Sequence, residues 1–229
     1  MTAESDRSPI PTITEGVFFT TPPKLPRGPH GLVREEVLAI HRERLMIAFT
    51  ELLAAHGYAN FGVKEIVERG GASRTAFYDC FDSKEACSDA AYERFIAVLL
   101  DRVIGSLSNR SDQDVFLVLQ AYFAALQTDL VVARAFQVEM DSAGPRARDR
   151  RRGALRGLAQ VLHAEQRRQA LTDPELDPDV SLEAFVGSVY AVRQLASDLL
   201  DTQDHPNLEA VVPTLAVWLN NAIRRKIPE

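Results

Sequence analysis

A chain of 229 residues, 46% hydrophobic and 25% charged, is long enough to bury a sizeable core and has neither a disordered nor a fibrous composition. Its formal net charge of −6 excludes a polyanion binder working by bulk charge, so any nucleic-acid site has to be a local device. Two cysteines, Cys80 and Cys87, cannot form a disulfide scaffold and read as free thiols of a reducing compartment.

Residues 1–33 carry Pro9, Pro11, Pro22, Pro23, Pro26 and Pro29. Proline forbids helix interiors and central strands, so the stretch reads as a flexible Pro-rich arm. Its basic end offers Lys24 and Arg27, with Arg34 just beyond, as candidate DNA contacts. The first residues lack a charged-then-apolar leader, and no apolar run reaches the roughly 18 residues a membrane span needs. A cytoplasmic protein with no membrane partner is expected.

From Arg34 the pattern is helical. Leu45, Ala48, Phe49, Leu52 and Leu53 fall on one face of an amphipathic helix, which Gly57 ends. A short segment, Val63 to Arg69, is followed by Gly70-Gly71 and by a second short helix, Ala72 to Phe81. Longer helices are expected from Lys84 to Leu107, Gln113 to Asp129, Leu130 to Ser142 and Arg146 to Ala170. After a loop at Leu171–Pro178, two more run over Val180 to Thr202 and Pro206 to Lys226, with Pro213 bending the last. No period-two strand pattern occurs, so the fold class is all-α.

Two short helices joined by a glycine turn satisfy a helix-turn-helix, whose second helix reads base edges in the major groove. They equally satisfy a pair of packed core helices. Under the first reading, Gly71 supplies a turn needing positive φ. Ser73 caps the helix or touches phosphate, and Arg74 reaches phosphate or guanine. Thr75 and Ala76 are small enough to let the backbone approach the groove, while Phe77 and Phe81 share a core-facing side.

The run Gly57-Tyr58, Val63-Lys64-Glu65-Ile66, Gly71 to Tyr78, Phe81 and Ser83-Lys84-Glu85, after a helix Arg44 to His56, resembles the DNA-binding domain of TetR-type (TetR/AcrR-like) bacterial transcriptional regulators. The resemblance spans roughly residues 34–90. It implies a helix-turn-helix domain at 34–83 and a helical ligand-binding and dimerisation domain at 84–229. It further implies a repressor that binds a palindromic operator in double-stranded DNA as a homodimer and is released by a small-molecule effector. By the same resemblance, Lys64 contacts the DNA backbone, and Arg74, Thr75 and Ala76 face bases. Tyr78 contacts phosphate, as does Lys84 at the positive end of its helix. Gly62 stands where the family often has a capping Ser or Thr. Asp79 and Cys80 also depart from its pattern; Asp79 has either to turn away from phosphate or to accept from a cytosine amino group.

Residues 34–90 hold seven Lys or Arg against ten Asp or Glu, so few phosphate contacts are expected, supplemented by the arm. The family's dimer is a four-helix bundle of the last two helices. Here the candidate stripes are Phe185, Val189, Val192 and Leu195 with Val212, Leu215, Ala216 and Leu219. Candidate ligand-pocket liners are Phe116, Tyr122, Phe123, Phe136, Gln137, Met140, His163, Phe185 and Tyr190, aromatic or polarisable groups that suit an apolar cavity. The run Arg146, Arg148, Arg150, Arg151, Arg152 and Arg156 reads as a solvated helix start paired with acids such as Asp141 or Asp149. There is no phosphate loop, metal-spaced His/Cys set or nucleophile elbow, so no enzyme, cofactor or metal is expected. The rival reading is an all-α ligand-binding or scaffold protein whose DNA-binding segment no longer functions; Asp79 and the acidic balance speak for it.

Overall fold

The computed structural model describes residues 9–23, 31–108 and 115–224. Lys24 and Arg27, and the expected end of the last helix at Lys226, lie outside them. Among the described residues the chain is helical, with one backbone bridge between Leu176 and Arg224. The helices are α1 (Arg34–His56), α2 (Val63–Gly70), α3 (Arg74–Cys80), α4 (Lys84–Ser108), α5 (Val115–Thr128), α6 (Leu130–Gln137), α7 (Pro145–Gln169), α8 (Leu182–Thr202) and α9 (Val212–Ile223). No single helix among the described residues is long and apolar enough to cross a membrane.

The chain divides into two compact units. The first takes residues up to Phe95 together with Asp129–Ala143. Its centre is the apolar face of α1, where Leu45, Phe49, Leu52 and Leu53 are buried, and α2, α3 and α6 all pack on α1. Asp129 starts α6 by accepting from the amides of Val131 and Val132, each at 3.0 Å. The expected Leu130–Ser142 helix breaks at Val138 and continues as a 3₁₀ turn, Glu139–Ala143. The boundary between these units falls inside α4, at Phe95, whereas the resemblance implies a functional division at 83/84. The cause is an aromatic stack: Tyr92 and Phe95 of α4 lie 5.6 and 5.0 Å from Phe136 of α6.

Residues 9–23 depart from the expectation of a flexible arm over 1–33. They run extended across the first unit with Ile13, Phe18 and Phe19 buried. Extended backbone cannot satisfy its own amides, and these are taken by carboxylates: Ile13 N–H donates to Glu51 at 3.1 Å and Thr14 N–H to Asp129 at 2.8 Å. Arg44 donates to the Pro23 carbonyl at 2.8 Å, and Phe18 packs on Phe95 at 5.2 Å. The prolines forbid helix here, as expected, yet extended chain docks readily wherever side chains supply the acceptors.

In the second unit, α7 packs on α8 around Ala159, Phe185 and Val189, and α5 packs on α9. Gln166, fully buried in α7, donates to the carbonyls of Asp177 and Ile223 at 3.2 and 3.1 Å, pinning the 171–178 loop to the end of α9. Pro213 does not bend the interior of the last helix. It sits in the first turn of α9, where its missing N–H costs nothing, and Leu208–Val211 before it forms a 3₁₀ turn.

Candidate nucleic-acid interface

The turn between α2 and α3 is built on Gly71, at φ 61° and ψ 36°, the left-handed region that side chains with a Cβ resist. That conformation lets the Ala72 amide reach back to the Val67 carbonyl at 3.0 Å, closing α2. Gly62 begins α2, and its amide is capped by the Glu65 carboxylate at 2.8 Å, so Glu65 offsets the missing hydroxyl there. Ser73 begins α3, its Oγ accepting from Ala76 N–H at 3.0 Å. Phe77 is fully buried and packs against Phe81, the rings tilted at 50° with centroids 5.8 Å apart. With Phe77 inward, helical geometry turns Thr75 to the opposite side, while Ser73 and Arg74 are exposed because they open the helix at its free end and Tyr78 because it flanks the buried face. All four are exposed, Tyr78 by 57%, while Ala76 is half-buried.

Supporting groups come from distant parts of the chain. Arg42 of α1 lies over the Phe81 ring at 4.5 Å and donates to the Cys80 carbonyl at 3.1 Å, holding the end of α3 by a cation on its last carbonyl. Nothing local in the sequence marks this, because the partners are 38 residues apart. Asp79 faces Arg34, the first residue of α1, at 3.8 Å. Both are exposed, so the pair contributes little stability, but it answers the anion on α3 with a cation. Lys64 is exposed on α2, 4.0 Å from Glu68.

Lys84 departs from its expected place. Its ammonium turns inward between the Tyr58 and Phe61 rings, at 4.1 and 4.0 Å, and donates to their carbonyls at 2.5 and 2.6 Å. Burial lowers its pKa, against the pull of Glu85 and Glu65. The local reason is the 3₁₀ turn Tyr58–Asn60, whose carbonyls have no helical partner and outcompete solvent for the cation. Both cysteines are free thiols, and burial pushes both up, Cys87 strongly. Among the described residues no group of His, Cys, Asp and Glu is arranged to hold a metal ion.

Residues 48–91 match the family model described as bacterial regulatory proteins, tetR family. Over these residues the chain is similar to that family's N-terminal module. A comparison with curated proteins finds no match. Solved structures of the same fold include a fatty acid degradation regulator, FadR, from Bacillus halodurans, at 18% identity over 81% of this chain and 97% of that one, TM-score 0.69. FadR from Bacillus subtilis in complex with stearoyl-CoA matches at 16% identity over 79% and 98%, TM-score 0.69. A TetR family regulator from Marinobacter aquaeolei matches at 16% over 85% and 100%, TM-score 0.60. The family and these structures are described as regulators, those from Bacillus subtilis and Marinobacter aquaeolei as regulators of transcription.

The second unit holds a cavity of about 110 Å³, walled by apolar side chains such as Val115, Leu119, Leu155 and Leu158, with Arg193 and Ser188 among its few polar groups. Of the candidate liners, Tyr122 and Phe185 line it. Phe136, Gln137 and Met140 belong to the first unit. Phe123 is core, stacked edge-on against Tyr122 at 5.2 Å, and Phe116 is exposed. His163 bonds the Val180 carbonyl at 3.1 Å outside the lining, and Tyr190, half-buried, is also outside it.

The candidate dimer stripes point inward in the protomer. Phe185, Val189, Val192 and Leu219 line the cavity, and Val212, Leu215 and Ala216 are buried. Only Leu195 among them is exposed. Apolar spacing marks the face a helix buries, and inside one chain that face is the core. The exposed apolar groups that spacing missed are Val217 and Trp218 on α9, 64% and 48% exposed. In the arginine run, Arg152 pairs with Asp149, a solvated helix start.

Proposed function

We propose that the chain is a cytoplasmic, homodimeric transcriptional repressor that reads a palindromic operator with α3 and is released by an apolar small molecule held in the second unit. The observation carrying the reading is the two-faced α3. Phe77 anchors one side, while Ser73, Arg74, Thr75 and Tyr78 stand outward at the start of the second helix of a helix-turn-helix. Arg74 contacts a guanine edge or phosphate, Thr75 and Ala76 let the backbone approach, and Tyr78 and Lys64 contact phosphate. Arg34 neutralises Asp79 and contacts phosphate on binding. Lys84 serves this surface indirectly, by fixing the 3₁₀ turn before α2.

Selection of the full-length chain on random duplexes tests the reading. Enrichment of an inverted repeat with half-sites about 34 Å apart, or a multiple of it, is expected. Arg74→Ala should then weaken binding about 10- to 100-fold and relax preference at one base pair. A folded protein that enriches no site supports the ligand-binding or scaffold alternative.

The apolar lining with few polar groups suits an acyl chain, and the likeness to a regulator solved with stearoyl-CoA points the same way. Stearoyl-CoA should release the selected duplex; tight binding without release would refute the effector mechanism, because a ligand shifts only the equilibrium it binds differentially. Lys24 and Arg27 remain proposed arm contacts. Since residues 9–23 are part of the packed unit, deleting 1–32 would also disturb the fold. The clean test is Lys24→Ala with Arg27→Ala, which should lower the salt slope by about one per lost phosphate contact.

A further inference from the structure

Residues 9–23 do more than cover the first unit. Two consecutive amides, Ile13 and Thr14, reach carboxylates of two different helices: Glu51 of α1 at 3.1 Å and Asp129 at the start of α6 at 2.8 Å. Each carboxylate is engaged on both oxygens. The second oxygen of Glu51 takes Arg69 Nε of α2 at 2.6 Å, and the second oxygen of Asp129 takes the Val131 and Val132 amides. Glu51 and Asp129 are only 4% and 1% exposed. A buried carboxylate is tolerated only when its hydrogen bonds are complete, and here the strap amides complete both. Burial pushes the Asp129 carboxyl up, and the Val132, Thr14 and Val131 amides draw it back.

A continuous hydrogen-bonded path therefore runs from α2 through Arg69, Glu51, Ile13-Thr14 and Asp129 into α6. The aromatic ends of the strap secure it, with Phe18 against Phe95. In the chain, Asp129 follows directly on α5, whose Val115, Leu119 and Tyr122 line the cavity. We propose that the strap of residues 9–23 is a clasp that ties α6 to α2, so that a displacement at the end of α5 is delivered to the DNA-reading helices through Asp129, Thr14, Ile13 and Glu51. The delivery to DNA rests on the functional reading above; the clasp itself does not.

The discriminating variant is Asp129→Ser in the full-length chain. Serine is as good an N-cap as aspartate but too short to reach Thr14, so it keeps α6 and releases the strap. Asp129→Asn, with one acceptor oxygen in place of two, serves as the second variant should the first not fold. Hydrogen exchange should quicken about tenfold, the loss expected for a charge-assisted hydrogen bond, at Ile13 and Thr14 and also at Ile66 and Val67 of α2. Affinity for the selected duplex should fall with it, while exchange in α8 stays unchanged. Quickening confined to the strap and α6, with α2 as protected as in the parent, overturns the clasp. If the parent selects no duplex, the DNA reading fails, and exchange at α2 still decides whether the clasp exists.

Discussion

A methyl group added at residue 71 would meet no atom within 4 Å, so its cost is purely conformational. Gly71→Ala forces an L side chain into the left-handed region, which destabilises by about 1–2 kcal/mol; a lowered melting temperature with unchanged helix content checks this. At Lys84 the issue is what the ammonium faces. Lys84→Met keeps the stem between Tyr58 and Phe61 but strips two carbonyls of their donor. Hydrogen bonds to a charged group are worth about 1.5–3 kcal/mol, and half-exposure trims the expected loss to about 1–2 kcal/mol. Because the ammonium is turned inward, the salt slope of duplex binding should stay as in the parent. A slope lower by about one would mean that Lys84 contacts phosphate after all. His41 offers a pH test. Burial, then Arg44, lowers its pKa from 6.5, with Asp79 opposing. The fold prefers neutral imidazole, so the unfolded chain takes the proton first. The contribution is intact above pH 6.5 and is lost as pH falls through the folded value. Melting temperatures between pH 7 and 5 should decline less steeply in His41→Gln; an identical decline rules out this origin.

At the scale of elements, legibility followed the range of the interactions. The helices of the first unit are readable because spacing at Leu45–Leu53, the turn glycine and the Ser73 cap are signals within a few residues of their effect. The strap is not, because its anchors lie 38 and 115 residues away in sequence and extended chain has no periodicity of its own. Arg42 under the end of α3 and Gln166 under the end of α9 escaped for the same reason. The resemblance implies a phosphate contact for Lys84, and its carbonyl partners Tyr58 and Phe61, 26 and 23 residues away, were not legible locally. The strap makes the difference measurable. Burying a phenylalanine side chain contributes about 1.5–3 kcal/mol, and truncation in a core costs about 3–5 kcal/mol. Phe18→Ala should therefore destabilise the first unit by that order in urea unfolding, whereas a free arm would tolerate it with no change in midpoint.

For the whole molecule, a net charge of −6 and the few cations around α3 mean that, on the proposed reading, one protomer alone holds DNA weakly. The proposed homodimer would gain its affinity by engaging two half-sites at once, since linking two modest sites gains about 10²–10⁴-fold without any new contact. The stripes suggested for the dimer are, Leu195 apart, buried or lining the cavity within one chain. What α9 leaves outward is Val217 and Trp218, and α8 leaves Leu195. A tryptophan exposed on a helix of an otherwise well-buried unit is the kind of anchor interfaces are built on. Val217→Asp combined with Trp218→Asp should give a monomer by light scattering, with unchanged helicity because neither side chain is in the core. Duplex affinity should drop about 100-fold or more, the loss expected when two-site engagement is abolished. A dimer that persists with both positions charged would move the interface off this face of α9, and a chain that unfolds would mean these side chains pack more deeply than their exposure indicates.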